Sequence, residues 1–258
     1  MNNLIEKIKS KREFSGLPDS IIKKCLNGFN SAKMSDDELV KEVRKKLRKY
    51  YGIFLTNKVI KPKDIMDYNA VLLSHISSKK RNYEELYGIL SKYIKKGSIV
   101  FDFGCGVNGF SFDLMKKYFG CKKYLGFEAS NQIVNNMNLF FENKKVDAKC
   151  IWCDIMELDF LKKIINSYNE NKLFFCFQVT DALDKLKEGS GLTFLLFLKE
   201  CMNKEDKIVL SFPTESISGR ETFNDNRKNF FISLEKEFNI EFNIKKFGEN
   251  FLVLKKTL

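Results

Sequence analysis

The sequence predicts a mostly parallel α/β sheet that closes with an antiparallel hairpin, preceded by a smaller all-helical domain. Two observations carry that prediction. From Gly97 onward, short apolar runs alternate with helical stretches, the pattern of strands joined by crossover helices. The last two β runs, NIEFNIKKF and FLVLKK, are separated only by Gly248, Glu249 and Asn250, a spacing that makes a hairpin. The first part of the chain shows helical periodicity and little β signal. The division therefore falls between a helical basic domain, 1–96, and a sheet domain, 97–258.

Within the helical part, Asp36 and Asp37 can cap a helix running to about Tyr51 that places Leu39, Val43, Leu47 and Tyr50 on one face. Lys41, Lys45, Arg48 and Lys49 point elsewhere, as a solvated face or a phosphate-facing one. Further helices are expected near 18–31, 62–76 and 83–95. The sheet part reads as SIVFDF, a helix from about 109, KYLGF, a helix from about 130, AKCIWC, a helix near 157–167, LFFCFQ, a helix near 190–202, KIVLSF and a helix near 226–237.

Hydrophobic content of 44% and charged content of 30% in 258 residues allow a sizeable core and exclude wholesale disorder. No apolar run reaches the roughly 18 residues a membrane span needs. The opening MNNLIEKIKSKRE has no apolar signal core, so a cytoplasmic protein with reduced thiols is expected. The net charge of +12 is unevenly placed: residues 1–97 hold 22 Lys+Arg against 11 Asp+Glu, and residues 98–258 hold 23 against 22. A basic field confined to the first third favours a polyanionic partner, nucleic acid above all, over a general compositional bias.

After the first strand comes Asp102-Phe103-Gly104-Cys105-Gly106-Val107-Asn108-Gly109. Its glycines satisfy G-x-G-x-x-G, which alone fits a dinucleotide site and places backbone close to a ligand at the strand's carboxyl end. Asp102, two residues before the first glycine, gives the D-x-G-x-G pattern that resembles motif I of methyltransferases, and the terminal hairpin points the same way. The expected fold is thus a class I methyltransferase (Rossmann-like) fold with S-adenosylmethionine as cofactor. Glu128 ends the second strand, 24 positions after Gly104, where an acid can accept both ribose hydroxyls. Methyltransferases commonly place an acid after the third strand for the adenine amino group, which here is Asp154, with Ile155 beside it to cover the ring. Gln178 then sits near the transferred methyl. Cys150-x-x-Cys153 lacks a second ligand pair, His75 being the only histidine, so it reads as core packing and no metal is expected.

Two further segments extend the likeness. His75-Ile76-Ser77-Ser78-Lys79-Lys80-Arg81 precedes the sheet, and VLSFPTESISGRE, residues 209–221, ends the fifth strand. With FDFGCGVN they resemble the Arm/Rmt aminoglycoside-resistance methyltransferases of 16S ribosomal RNA, which carry H-x-S-[ST]-x-x-R and S-F-P-x-x-S-x-x-G-[KR] at these points. The resemblance covers essentially the whole chain, including the basic helical N-terminal domain, which it implies docks RNA and forms part of the cofactor pocket. It implies methylation of guanine N7 at the decoding site, the small ribosomal subunit as partner, a monomer, and antibiotic resistance as the outcome. It further implies that Arg81 pairs with the carboxylate of the cofactor's methionine moiety while His75 and Ser77 line the same side. Ser211, Phe212, Pro213, Ser216, Ser218, Gly219 and Arg220 would shape the loop for the target base, with Lys41, Lys45, Arg48 and Arg220 meeting RNA. The family has Lys at the position of Gln178, Glu at that of Lys80 and a basic residue at that of Glu215. Its K-G-M-E has no counterpart in Thr222-Phe223-Asn224-Asp225. These departures gather round the acceptor. A methyltransferase for another RNA or a small molecule, or a non-catalytic relative, is the alternative.

Overall fold

The computed structural model describes residues 2–29, 34–52, 66–214 and 228–257. In chain order the elements are α1 (Asn2–Lys9), α2 (Arg12–Ser15), α3 (Asp19–Asn27), α4 (Asp36–Leu47) with a π-helical turn (Arg48–Gly52), α5 (Tyr68–Ser74) and α6 (Tyr83–Leu90). The sheet part follows with β1 (Ile99–Phe103), a 3-10 turn (Asn108–Ser111), α7 (Phe112–Phe119), β2 (Tyr124–Glu128), α8 (Asn131–Lys144), β3 (Ala148–Trp152) and α9 (Leu158–Asn166). It ends with β4 (Lys172–Phe177), α10 (Val179–Leu186), α11 (Ser190–Cys201), β5 (Lys207–Pro213), α12 (Lys228–Glu237), β6 (Phe238–Lys246) and β7 (Glu249–Lys256).

The seven strands form one sheet in the order β3-β2-β1-β4-β5-β7-β6. The first five are parallel, and β7 runs antiparallel between β5 and β6. The expected hairpin is present but tighter than the spacing suggested. Phe247 and Gly248, at φ 56° and 77°, make the turn, a pair of left-handed residues that matches strand twist. Glu249 and Asn250 therefore belong to β7 rather than to the loop.

Alternation along each strand divides the core between the sheet's two faces. Ile99, Phe101 and Phe103 of β1 pack with Ile208, Leu210 and Phe212 of β5 on one face. Val100, Phe175, Val209 and Val253 lie on the other, against α6, α7 and α8. A third cluster, built from Ile8, Phe14, Leu17, Ile22, Val43 and Leu47, comes from the α1–α4 region, with Ala129 and Leu186 of the sheet part packed against it. Val71, Leu72, Leu86, Tyr87 and Leu90, from α5 and α6, are part of the sheet's core. The helical part thus has two allegiances: α1–α4 build their own cluster, and α5 and α6 join the sheet's core.

Two local differences from the expected elements have simple causes. Helix α4 is capped by Ser35, not by Asp36 or Asp37: Ser35 and Glu38 form a reciprocal capping box, with the aspartates in the first turn. Helix α10 was not foreseen, because its eight residues follow β4 after a single left-handed Gln178 at φ 58°. The junction of α1–α4 with the sheet is polar. Asn131 N and Trp152 Nε1 both donate to Gly16 O, at 3.0 and 2.8 Å, and Trp152 Nε1 also reaches Ala129 O at 2.8 Å.

Candidate active site

A cavity opens at the carboxyl ends of β1, β2 and β4, enclosing about 860 Å3 with its open mouth. This is where parallel α/β sheets bind ligands, at the point where strand order reverses. Its floor is the glycine loop. Gly104 and Gly106 have φ of 60° and 50°, and a Cβ on Gly104 would lie 2.9 Å from Val179 Cγ2. Only glycine fits such a loop.

Of the residues expected at the cofactor, His75, Ser77, Gly104, Gly106, Glu128, Asp154, Ile155 and Gln178 line this cavity. Glu128 accepts from Gly106 N at 3.0 Å through Oε2 and from Ser130 N at 2.9 Å through Oε1. Burial raises its pKa, and the backbone donors at Ser130 and Gly106 oppose that rise. Asp154 accepts from Met156 N at 2.9 Å and pairs with Lys24 Nζ of α3 at 2.6 Å. Ser77 Oγ lies 2.8 Å from His75 Nδ1, and Gln178 Nε2 donates to Ser77 O at 3.2 Å. Burial, with Arg81 nearby, pushes the imidazole of His75 down to about 4, so it is neutral at physiological pH. Neutral His75 and neutral Gln178 leave this wall without a cation that would repel a bound sulfonium.

Two expected ligands lie outside the cavity lining. Asp102 is buried behind the loop, where its Oδ2 accepts from Asn108 Nδ2 at 2.6 Å and from Tyr124 OH at 2.9 Å. It holds the glycine turn from below, and burial raises its pKa to about 7. Arg81 is committed elsewhere: its Nε and Nη2 meet both carboxylate oxygens of Glu249, at 2.5 and 2.8 Å. Ser211 Oγ donates to the same carboxylate at 2.6 Å, and the guanidinium lies 4.8 Å from the Phe177 ring centroid. Arg81, expected at a ligand carboxylate, is held in this structure by a buried ion pair between the 75–81 segment and β7.

The acceptor side divides similarly. Phe212 is 1% exposed and packs edge-on and tilted against Phe230 and Phe231, with centroids 5.5 Å apart. It is part of the core, because strand alternation puts it on the face of Ile208 and Leu210. Pro213 closes β5, opposite Glu249. Ser216, Ser218, Gly219 and Arg220 lie outside the described residues. On α4, Lys41 and Lys45 are exposed, and Lys45 lies 3.8 Å from Glu42. Arg48 is tied to Glu13 and stacks over Phe14, so its charge also serves the packing of α2. Cys150 and Cys153 are buried, with Cys150 Sγ 3.6 Å from Cys105 Sγ in the core. Among the described residues no cluster of three or more His, Cys, Asp or Glu is arranged to hold a metal, and no helix is long and apolar enough to cross a membrane.

Several cavity residues had no counterpart in the sequence reading: Ile21, Tyr51, Ser130, Val179 and Leu183. Lys24 and Glu249 also went unforeseen, because their partners lie 130 and 168 residues away. No local pattern encodes such pairs.

The strand order, the terminal hairpin and the glycine loop under this cavity define a class I methyltransferase fold. No family model matches the chain. The chain is 24% identical over 245 residues to a 16S rRNA (guanine(1405)-N(7))-methyltransferase of Proteus mirabilis, covering 85% of this chain and 80% of that one. Among solved structures it resembles the 16S rRNA methylase RmtB, with a TM-score of 0.76 and 19% identity over 99% of this chain and 98% of that one. It also resembles the 16S rRNA methyltransferase RmtF, solved with S-adenosyl-L-homocysteine, with a TM-score of 0.78 and 16% identity at the same coverage. The resemblance to the Arm/Rmt group, read above from three short motifs, extends along the whole chain.

Proposed function

We propose that this protein is an S-adenosylmethionine-dependent methyltransferase that methylates guanine N7 in the decoding region of 16S ribosomal RNA. The small ribosomal subunit is its partner, and resistance to aminoglycosides is the consequence. The observation that carries the reading is the cavity wall of Glu128 and Asp154, set at successive strand ends beside the left-handed Gly104–Gly106 turn. The likeness to a 16S rRNA methyltransferase over 85% of this chain and 80% of that one supports the acceptor.

The residues present fit the cofactor. Glu128 presents a carboxylate fixed by two backbone donors, able to accept ribose hydroxyls. Asp154 offers a carboxylate to the adenine amino group, with Ile155 beside it. Val179 and Leu183 add apolar wall. The cofactor supplies a methyl already activated on a sulfonium. Guanine N7 carries an in-plane lone pair and no proton, so no general base is needed. The protein's part is alignment and exclusion of water. His75 and Gln178, held through Ser77, orient the methyl end without adding charge.

Labelled S-adenosylmethionine should be incubated with isolated small subunits, free ribosomal RNA and transfer RNA. Transfer to the ribosomal substrate, mapped by reduction and aniline cleavage to an N7-methylguanine, is the expected result. A methyl on adenine N1 or on a pyrimidine carbon would overturn the acceptor and leave the cofactor assignment standing.

A further inference from the structure

The cofactor cavity has one wall that does not come from the sheet. Ile21 of α3 and Tyr51 of the π-helical turn line it together with Glu128, Asp154 and Ile155. Helix α4 runs regularly to Leu47, which is buried in the N-terminal core, and then widens into the π-helical turn Arg48–Gly52. Turns of this kind re-aim side chains and recur at functional sites. Tyr51 is half-buried, packs on the edge of the α1–α4 core and projects its ring into the cavity. Its hydroxyl feels the charges of Asp154 and Glu128, and burial keeps the phenol well above its ordinary pKa. A neutral phenol is the only form that suits a position facing two carboxylates.

We infer that Tyr51 is a further cofactor-binding residue, its ring covering the adenosine moiety from the side of the N-terminal helices. The inference rests on the cofactor reading above, in which Asp154 takes the adenine and Glu128 the ribose. A ring that shares one cavity wall with both acids lies along the group that bridges them. Among the described residues, the other aromatic ring of the cavity, Phe177, is taken up beneath the Arg81 guanidinium at 4.8 Å. A flat ring against a purine stabilises binding through stacking, a contribution worth roughly 5- to 150-fold in affinity. The N-terminal helices would thereby be part of the cofactor site as well as a basic surface.

The test measures binding of S-adenosylhomocysteine and of 5′-methylthioadenosine to the full chain by calorimetry. Tyr51→Ala should lose about tenfold for both ligands, because the lost contact is to the adenosine they share. Tyr51→Phe should bind within about twofold of wild type, because the ring is what counts. Should Tyr51→Ala fail to fold, Tyr51→Leu keeps bulk against the N-terminal core and should still lose affinity. Wild-type affinity in the Ala or Leu variant overturns the inference. So does a loss confined to S-adenosylhomocysteine, or a loss in Tyr51→Phe as large as in Tyr51→Ala. A wild-type protein that binds neither ligand overturns the cofactor reading itself, which is a separate outcome.

Discussion

The strand ends of β2 and β3 and the 75–81 segment offer a comparison within one site. Both carry residues expected to hold the cofactor. Glu128 and Asp154 face the cavity, their carboxylates fixed by short backbone and side-chain contacts. In the 75–81 segment His75 and Ser77 face the cavity, and Arg81 is locked to Glu249 in the core. A strand end in a parallel sheet has one exit direction, so a polar residue there meets the ligand. A loop segment can turn any one side chain inward, and its sequence does not reveal which.

The largest expected effect tests that division directly. Arg81→Ala leaves the Glu249 carboxylate, 2% exposed, without its cationic partner, with only Ser211 Oγ still donating among the described residues. Breaking a buried pair in this way costs about 3–5 kcal/mol, readable as a lower denaturation midpoint in urea. The double variant Arg81→Met, Glu249→Leu should recover most of that stability. If Arg81→Ala instead keeps wild-type stability and loses cofactor affinity, the two regions are equivalent after all. The complementary variant is Glu128→Ala. It should weaken S-adenosylmethionine binding by roughly 10- to 150-fold, the worth of a charge-assisted contact. Calorimetry that finds wild-type affinity would remove Glu128 from the site.

Smaller effects follow from protonation. Burial raises the Glu128 carboxyl above its ordinary range, so cofactor affinity should fall on mild acidification, and Glu128→Gln should flatten that profile. For stability the relevant group is Asp102, whose folded-state pKa is raised to about 7 from 3.8. Such a group adds stability that is full below pH 4 and is lost as pH rises through 7. Asp102→Asn should therefore lose less stability than wild type between those limits. His75, pushed down to about 4, acts in the opposite sense as pH falls from 6.5, so the readout is the difference between variant and wild type. The smallest expected effect is on the basic helix. Lys41→Glu with Lys45→Glu should weaken binding to small subunits and lower the salt slope by about one unit per lost phosphate contact. Arg48→Glu should also cost stability, because Arg48 holds Glu13. An unchanged salt slope would mark α4 as a solvated face.

The sheet was legible because its signals are local: apolar alternation, a glycine loop after the first strand, and two β runs too close for a crossover. Glu128 and Asp154 were legible for the same reason, as acids at the ends of recognisable strands. The packing of Phe212 is legible in the same way, since Ile208, Leu210 and Phe212 share one parity in KIVLSF. The roles of Tyr51, Lys24 and Glu249 are not. Each acts across more than 70 residues of chain on a partner that only tertiary packing brings near. The split within the helical part was hidden similarly, because α5 and α6 look like α1–α4 in periodicity and differ only in what they pack against.

The junction between the N-terminal helices and the sheet carries its own optical reporter. Trp152 is the only tryptophan in 258 residues, and its indole N–H is shared between Gly16 O on one side and Ala129 O on the other. Emission from the intact protein is therefore a single-site signal from the seam itself. Partial separation of the helices would break the indole's bond to Gly16 O and change that emission, while the sheet's far-ultraviolet dichroism stayed in place. Events at this seam can thus be timed in stopped flow on the unlabelled protein, with no fluorophore to attach.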